Sequence, residues 1–251
     1  MIRKTHLQKT AVLKSGEELI NKAHTRYQYD ASERLIEINE QLNDEALTNI
    51  ASYQYNALGQ RISKAVQGMK TFYLYDKTGL LAEYKSNGQL IKEYHYTPNS
   101  TFMTRPLFMR TISASQDAPS EVISNVYFYQ NDHLGTPQKL FSKNGLLVWA
   151  AQYEAFGRAV VLEDDVTNNL RFPGQYFDLE TSTHYNYYRD YEPIIGRYLQ
   201  SDPIGLSGGI NFFSYVRNNP VNVRDIYGLY RVEAYADGNA FWETFGYGFE
   251  I

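Results

Sequence analysis

Two aspartates stand in matching settings late in this 251-residue chain, Ser201-Asp202-Pro203-Ile204-Gly205-Leu206 and Arg224-Asp225-Ile226-Tyr227-Gly228-Leu229. If folding brings the two carboxyls together, like-charge repulsion raises one pKa and the pair shares a proton. One member then acts as general base on water and the other as acid to a carbonyl or a leaving amine. A nearby cation would hold and orient the ionised member. The same residues have a plain structural use, because Asp-Pro-x-Gly is a favourable β-turn with Asp first, Pro second and Gly fourth. Spacing alone leaves both readings open.

Other chemistry is sparse. The absence of Cys excludes a disulfide framework, a zinc ribbon, an iron–sulfur cluster and a thiol nucleophile. His133 and His184 lack metal-ligand spacing and read as a turn and a strand residue hydrogen-bonded to backbone. There is no Gly-x-Ser-x-Gly, no phosphate loop and no His-Glu-x-x-His, so neither a cofactor nor a metal is expected. With 24 Lys+Arg against 28 Asp+Glu, a net charge of −4 supplies no global attraction to nucleic acid or anionic lipid. Arg189, Arg197 and Arg217 would make at most a local basic patch, and ordinary surface or ion-pair roles serve them as well. The first 20 residues hold no apolar run for a signal peptide, and nothing later reads as a membrane span.

The elements that must position the aspartates are announced by 23 tyrosines. They recur as Tyr27-Gln-Tyr29-Asp30, Tyr53-Gln-Tyr55-Asn56, Tyr73-Leu-Tyr75-Asp76, Tyr94-His-Tyr96 and Tyr127-Phe-Tyr129, most of them followed by a Gly and an apolar or basic pair. Such a recurrence is the mark of a repeat array. Tyr-x-Tyr alternates at period 2 and puts both rings on one face of a strand. Asp or Asn followed by Gly supplies the turn, and runs such as Leu80-Leu-Ala-Glu-Tyr84 supply the return strand. The fold predicted is therefore mainly β, an antiparallel meander, with the rings used structurally and an aromatic binding surface as the alternative. Between residues 97 and 126 the repeat is interrupted: Arg105-Pro106-Leu107-Phe108-Met109-Arg110 reads as an edge strand, 113–120 as a loop, and the next strand resumes near Val122. Ile210–Val216 is expected to be a short helix and the main non-β element.

From residue 129 an ordered series appears: Tyr129-Gln-Asn-Asp132-His133-Leu134-Gly135-Thr136-Pro137, Tyr153-Glu-Ala-Phe156-Gly157-Arg158, Arg171-Phe172-Pro173-Gly174-Gln175-Tyr176, His184-Tyr185-Asn186-Tyr187-Tyr188-Arg189-Asp190-Tyr191, Gly196-Arg197-Tyr198, Ser201-Asp202-Pro203-Ile204-Gly205-Leu206 and Asn218-Asn219-Pro220. This series strongly resembles the Rhs repeat-associated core, and the upstream units resemble the Tyr-Asp (YD) repeats of the same proteins, which are similar to the C component of Tc insecticidal toxins. The resemblance divides the chain into a strand-forming flank at 1–26, a YD-repeat sheet at 27–128, the core with a candidate self-cleavage segment at 129–229, and a short tail at 230–251, read as the truncated start of a toxin.

The resemblance implies part of a curved β-shell with a core plug, in a protein that delivers a C-terminal toxin. It further implies Arg189 as the cation, Asp202 and Asp225 as the pair, and one cut between Leu229 and Tyr230. Ile226 stands where the family usually has Pro. The implied partners are the remainder of an Rhs shell or its toxin, an immunity protein and a contractile or injection machine that exports from the bacterial cytoplasm without a signal peptide; no nucleic acid or membrane span is implied. Two other expectations stand beside this one: a Tyr-rich sheet for carbohydrate or cell-surface binding, and a remnant without function. About 170 strand residues at roughly 3.3 Å rise and 4.8 Å spacing tile on the order of 2,700 Å² of sheet, too little to enclose a catalytic toxin domain.

Overall fold

The computed structural model describes residues 13–14, 17–18, 23–42, 46–114, 122–229, 233–236 and 239–242. The chain divides into two compact units, Met1–Phe72 and Tyr73–Ile251. Most of the flank 1–26, the loop 115–121, Tyr230 and most of the tail lie outside the described residues.

In the first unit, β1 (Leu13–Lys14) pairs with β2 (Glu17–Glu18), and β3 (Ala23–Tyr29), β4 (Leu35–Leu42), β5 (Thr48–Tyr55) and β6 (Arg61–Val66) form an antiparallel meander that continues into β7 (Met69–Asp76). The turns follow the sequence pattern. Asp30 Oδ1 accepts the backbone N–H groups of Ser32 and Arg34, and Asn56 Oδ1 those of Leu58 and Gln60, so each polar side chain closes its own hairpin. Leu35, Ile38, Ala51 and Tyr53 are buried together, with Tyr27, Tyr29 and Tyr55 packed against them.

The second unit starts within β7 and carries β8 (Gly79–Lys85), β9 (Leu90–Tyr96), β10 (Pro106–Ala114), β11 (Val122–Asn131), β12 (Pro137–Ser142), β13 (Leu147–Tyr153) and β14 (Ala159–Asp164). From β3 to β14 strand order equals chain order, and among the described residues the order is open at both ends. The residue separating the tyrosines of a pair is exposed at Gln54, Leu74, His95 and Phe128, while Tyr53, Tyr73 and Tyr94 are buried. The first ring of these pairs is thus used in sheet packing, as the alternation predicts, while the second, as at Tyr75 and Tyr96, is half-buried. The sequence boundary at 128/129 falls inside β11.

Two local expectations are corrected. The segment from Pro106 is not an edge strand: β10 pairs with both β9 and β11. Pro106 is its first residue, where a missing N–H costs no ladder bond, and the register shifts between Pro106 and Phe108. Residues 210–216 are not a helix either. Short 3₁₀ turns, η1 (Gly205–Gly208) and η2 (Val216–Asn218), lie to either side. Asn211 Oδ1 accepts the Phe213 N–H, while the carbonyls of Phe212 and Phe213 accept from Asp202 and Tyr198, so this backbone is committed to tertiary partners instead of an i to i+4 ladder.

Beyond β14 the chain forms a smaller four-stranded sheet, β15 (Tyr176–Asp178), β16 (Thr183–Asn186), β17 (Arg189–Glu192) and β18 (Arg197–Tyr198), then β19 (Val223–Arg224). In the tail, β20 (Glu233–Ala236) pairs with β19 and with β21 (Asn239–Trp242). Phe172, Tyr191, Tyr198, Tyr215, Val216 and Val223 make a buried cluster under the small sheet. This core is tied to the meander by polar groups as well as rings. Tyr176 donates to Glu83, and Lys92 donates to the Thr167 carbonyl and to Asn169.

Candidate active site

Arg189 enters from β17, on the return limb of a hairpin whose two loop residues are Tyr187 and Tyr188. Tyr187 takes φ 55°, and Asn186 is directly opposite Arg189 in register. Asp202 comes from the loop after β18. It opens a turn in which its carbonyl accepts the Gly205 N–H and its Oδ1 accepts the Ile204 N–H. Asp225 follows β19 and opens a second turn, with Oδ1 accepting the N–H groups of Tyr227 and Leu229. The turn and pair readings are therefore compatible: each aspartate closes its own turn with one oxygen and leaves the other for the site.

Those second oxygens converge on one guanidinium nitrogen. Arg189 Nη2 is 2.9 Å from Asp202 Oδ2 and 3.4 Å from Asp225 Oδ2, and all three side chains are buried. The rest of the guanidinium is also used. Nη1 donates to the Phe212 carbonyl at 2.9 Å, Nε donates to the Gly228 carbonyl, and the group lies 3.6 Å from the centre of the Tyr198 ring. Sequence reasoning missed Tyr198 and Asn186. Tyr198 donates to Asp225 Oδ2 at 2.8 Å, and Asn186 Nδ2 donates to both the Tyr198 hydroxyl and the Asp225 carbonyl. The register of the hairpin could have pointed to Asn186, but a tight turn at Tyr187-Tyr188 has no glycine to announce it.

Burial dominates the electrostatics. It pushes the Asp225 carboxyl up to about 7, against the opposing pull of Arg189, the Tyr198 hydroxyl and the two N–H donors. Asp202 is also raised by burial, with Arg189 opposing. In the first unit, Asp30 has the same turn geometry, and there Arg34 and the N–H donors outweigh partial burial and hold the carboxyl below its ordinary value. The same turn thus carries a readily ionised carboxyl where burial is partial and one raised toward neutrality in the core.

The peptide next to the expected cut is held at both of its polar atoms: Arg189 Nε holds the Gly228 oxygen and Asp225 Oδ1 holds the Leu229 N–H. Gly228 sits at φ 65°, and a Cβ there would lie 2.4 Å from the Asn186 carbonyl oxygen, so only glycine fits. Tyr227 anchors the segment further back, its ring 5.4 Å from Phe102 and 5.5 Å from Tyr187 and its carbonyl accepting the Tyr188 N–H. Ile226 is buried, its carbonyl close over Gly174.

The histidines divide. His133 Nε2 meets the Val221 carbonyl, as its turn position suggested, but His184 meets the side chain of Gln175 through Nδ1. Arg189 is buried, whereas Arg197 and Arg217 are exposed, so the three make no common patch. Among the described residues no group of three or more His, Asp or Glu is placed to hold a metal ion, and no helix is long and apolar enough to cross a membrane.

A tyrosine-punctuated antiparallel meander that runs into a core with buried aspartates on one arginine defines a class, the repeat-built β-walls. Residues 126–163 match the family model described as RHS protein. The chain is 32% identical over 228 residues to the double-stranded DNA deaminase toxin A of Burkholderia cenocepacia, a match covering 81% of this chain and 15% of that protein. It is 28% identical over 229 residues to the toxin protein Tse5 of Pseudomonas aeruginosa, covering 81% and 17%. The crystal structure of TcdB2-TccC3-TEV superposes with a TM-score of 0.60 at 20% identity, over 82% of this chain and 10% of that one, and so shares the fold. The chain is an Rhs-family protein, and it spans less than a fifth of the length of these two curated relatives.

Proposed function

We propose that this chain supplies part of the wall and the closing core of a toxin-delivery shell, and that it cuts itself once between Leu229 and Tyr230. The observation that carries the cleavage reading is the placement of Asp202 and Asp225 on a single buried Arg189 nitrogen, with residues 225–229 wrapped around Asp225. The partner is a toxin beginning after Leu229, a reading supported by relatives that are themselves named toxins. Export from the bacterial cytoplasm by a signal-peptide-independent injection system belongs to the same reading.

In the reaction, Asp202, the ionised member, takes a proton from water as the water oxygen attacks the Leu229 carbonyl carbon. Arg189 balances the charge of the pair. Asp225 in its protonated form passes its proton to the departing amine as the C–N bond breaks, leaving a Tyr230 amine and a Leu229 carboxylic acid whose proton then passes to Asp225. The core raises the carboxyl pKa values and so permits one protonated and one ionised aspartate near neutrality.

The test is the intact mass of the purified 251-residue chain. Fragments 1–229 and 230–251, absent in Asp202→Asn and Asp225→Asn, are the expected result. A chain that stays whole, or one cut at Asp202-Pro203, which would indicate acid lability of that bond, overturns the cleavage reading.

A further inference from the structure

The donors on Asp225 are unequal in kind. Oδ1 takes two backbone N–H groups, from Tyr227 and Leu229, whose hydrogens are fixed in direction. Oδ2 takes the Tyr198 hydroxyl at 2.8 Å and faces Arg189 Nη2 at 3.4 Å. A hydroxyl is a rotor that can give its proton to a carboxylate or accept one from a carboxylic acid. In this core its direction is set from behind, because Asn186 Nδ2 donates to the Tyr198 oxygen at 2.8 Å and to the Asp225 carbonyl at 2.9 Å. Asn186 is fully buried and its Oδ1 has no hydrogen-bond partner, so this amide is held by its nitrogen alone. A buried acceptor left unpaired costs about 1–3 kcal/mol. An arrangement that sustains this cost is most simply accounted for by the two bonds the amide makes to the Tyr198–Asp225 pair.

We infer that Tyr198, oriented by Asn186, is a positioning residue for the self-cleavage reaction: it fixes Oδ2 as the proton-exchanging oxygen of Asp225 and, by donating to it, sets the pH at which Asp225 gives up its proton. The inference rests on the cleavage reading only for its kinetic consequence. The groups facing Asp225 are Arg189 from β17, Tyr198 from β18, Asp202 from the following loop and Tyr215 from the segment before η2. Of these, Tyr198 is the neutral side chain that donates directly to the carboxylate. The hydroxyl's bond to the carboxylate is charge-assisted and stronger than its bond to the acid, so removing it moves the Asp225 pKa upward.

The experiment compares the full chain with Tyr198→Phe. The limb of the cleavage pH–rate profile that lies near pH 7 should move to higher pH by about half a unit or more. Asn186→Ala, which frees the hydroxyl without removing it, should move the limb the same way by a smaller amount. A hydroxyl with a merely structural role lowers the rate at every pH and leaves the limb in place. The second readout needs no cleavage: the Asp225 carboxyl is titrated by ¹³C NMR in Asp202→Asn with and without Tyr198→Phe, and its midpoint should rise. An unmoved midpoint in a folded variant overturns the inference whether or not the chain cuts. A raised midpoint in a chain that never cuts upholds the control of the Asp225 proton by Tyr198 and removes the cleavage reading instead.

Discussion

Asp225 and Asp30 make the same backbone contacts, to the N–H groups two and four residues on, yet burial raises one carboxyl while half-buried Arg34 and the N–H donors lower the other. The difference gives a stability prediction with a definite sign. The folded chain keeps the Asp225 proton up to about pH 7, while the unfolded chain releases it near 3.8, so this group's contribution is full below 3.8 and is lost as pH rises to about 7. His184 acts oppositely. Burial pushes it down to about 3 from 6.5, so its neutral form stabilises the fold above 6.5, and that contribution is lost as pH falls toward 3. The His184 contribution is common to both variants, so in urea unfolding from pH 4 to 8 Asp202→Asn should lose stability relative to Asp202→Asn/Asp225→Asn as pH rises to about 7. A difference between the two variants that does not change with pH would contradict this. Asp202 and Asp225 were legible as a candidate pair from their matched motifs, and Arg189 from the family resemblance. Tyr198 and Asn186 were not, because their contribution depends on a hairpin register that no local residue announces.

At the scale of elements, the wrap from Asp225 to Leu229 depends on the missing side chain of Gly228. Gly228→Ala must either displace the Asn186 carbonyl or abandon φ 65°, and it is expected to abolish cutting and to cost about 1–3 kcal/mol in urea unfolding. Gly88→Ala is the control. Its turn also has positive φ but has open space around it, so the variant should lose about 1 kcal/mol and cut normally. Normal cutting in Gly228→Ala would remove the tight wrap from the account. The tyrosine ladder has its own test. Tyr94→Ala empties a fully buried site and takes a donor from Glu83, and should cost about 3 kcal/mol or more, whereas Leu74→Ala on the exposed face should stay within about 0.5 kcal/mol. Alternation made these strands readable from sequence. Where the backbone pairs out of the local pattern, as from 210 to 216, sequence suggested a helix that tertiary hydrogen bonds replace.

At the scale of the molecule, strand order equals chain order from β3 to β14, and in the second unit the smaller sheet beyond β14 holds the site. The strands of the second unit hold that site through links such as Tyr176 to Glu83 and Gly174 to the Met103 carbonyl. In this account these strands support the core, and the core buries two aspartates deeply enough to share a proton. Intact mass spectrometry of the freshly purified chain, followed over days near neutral pH, addresses that claim most directly. Conversion to fragments ending at Leu229 and beginning at Tyr230, with both asparagine variants remaining whole, is the predicted result. A folded wild-type chain that keeps its full mass throughout would contradict it.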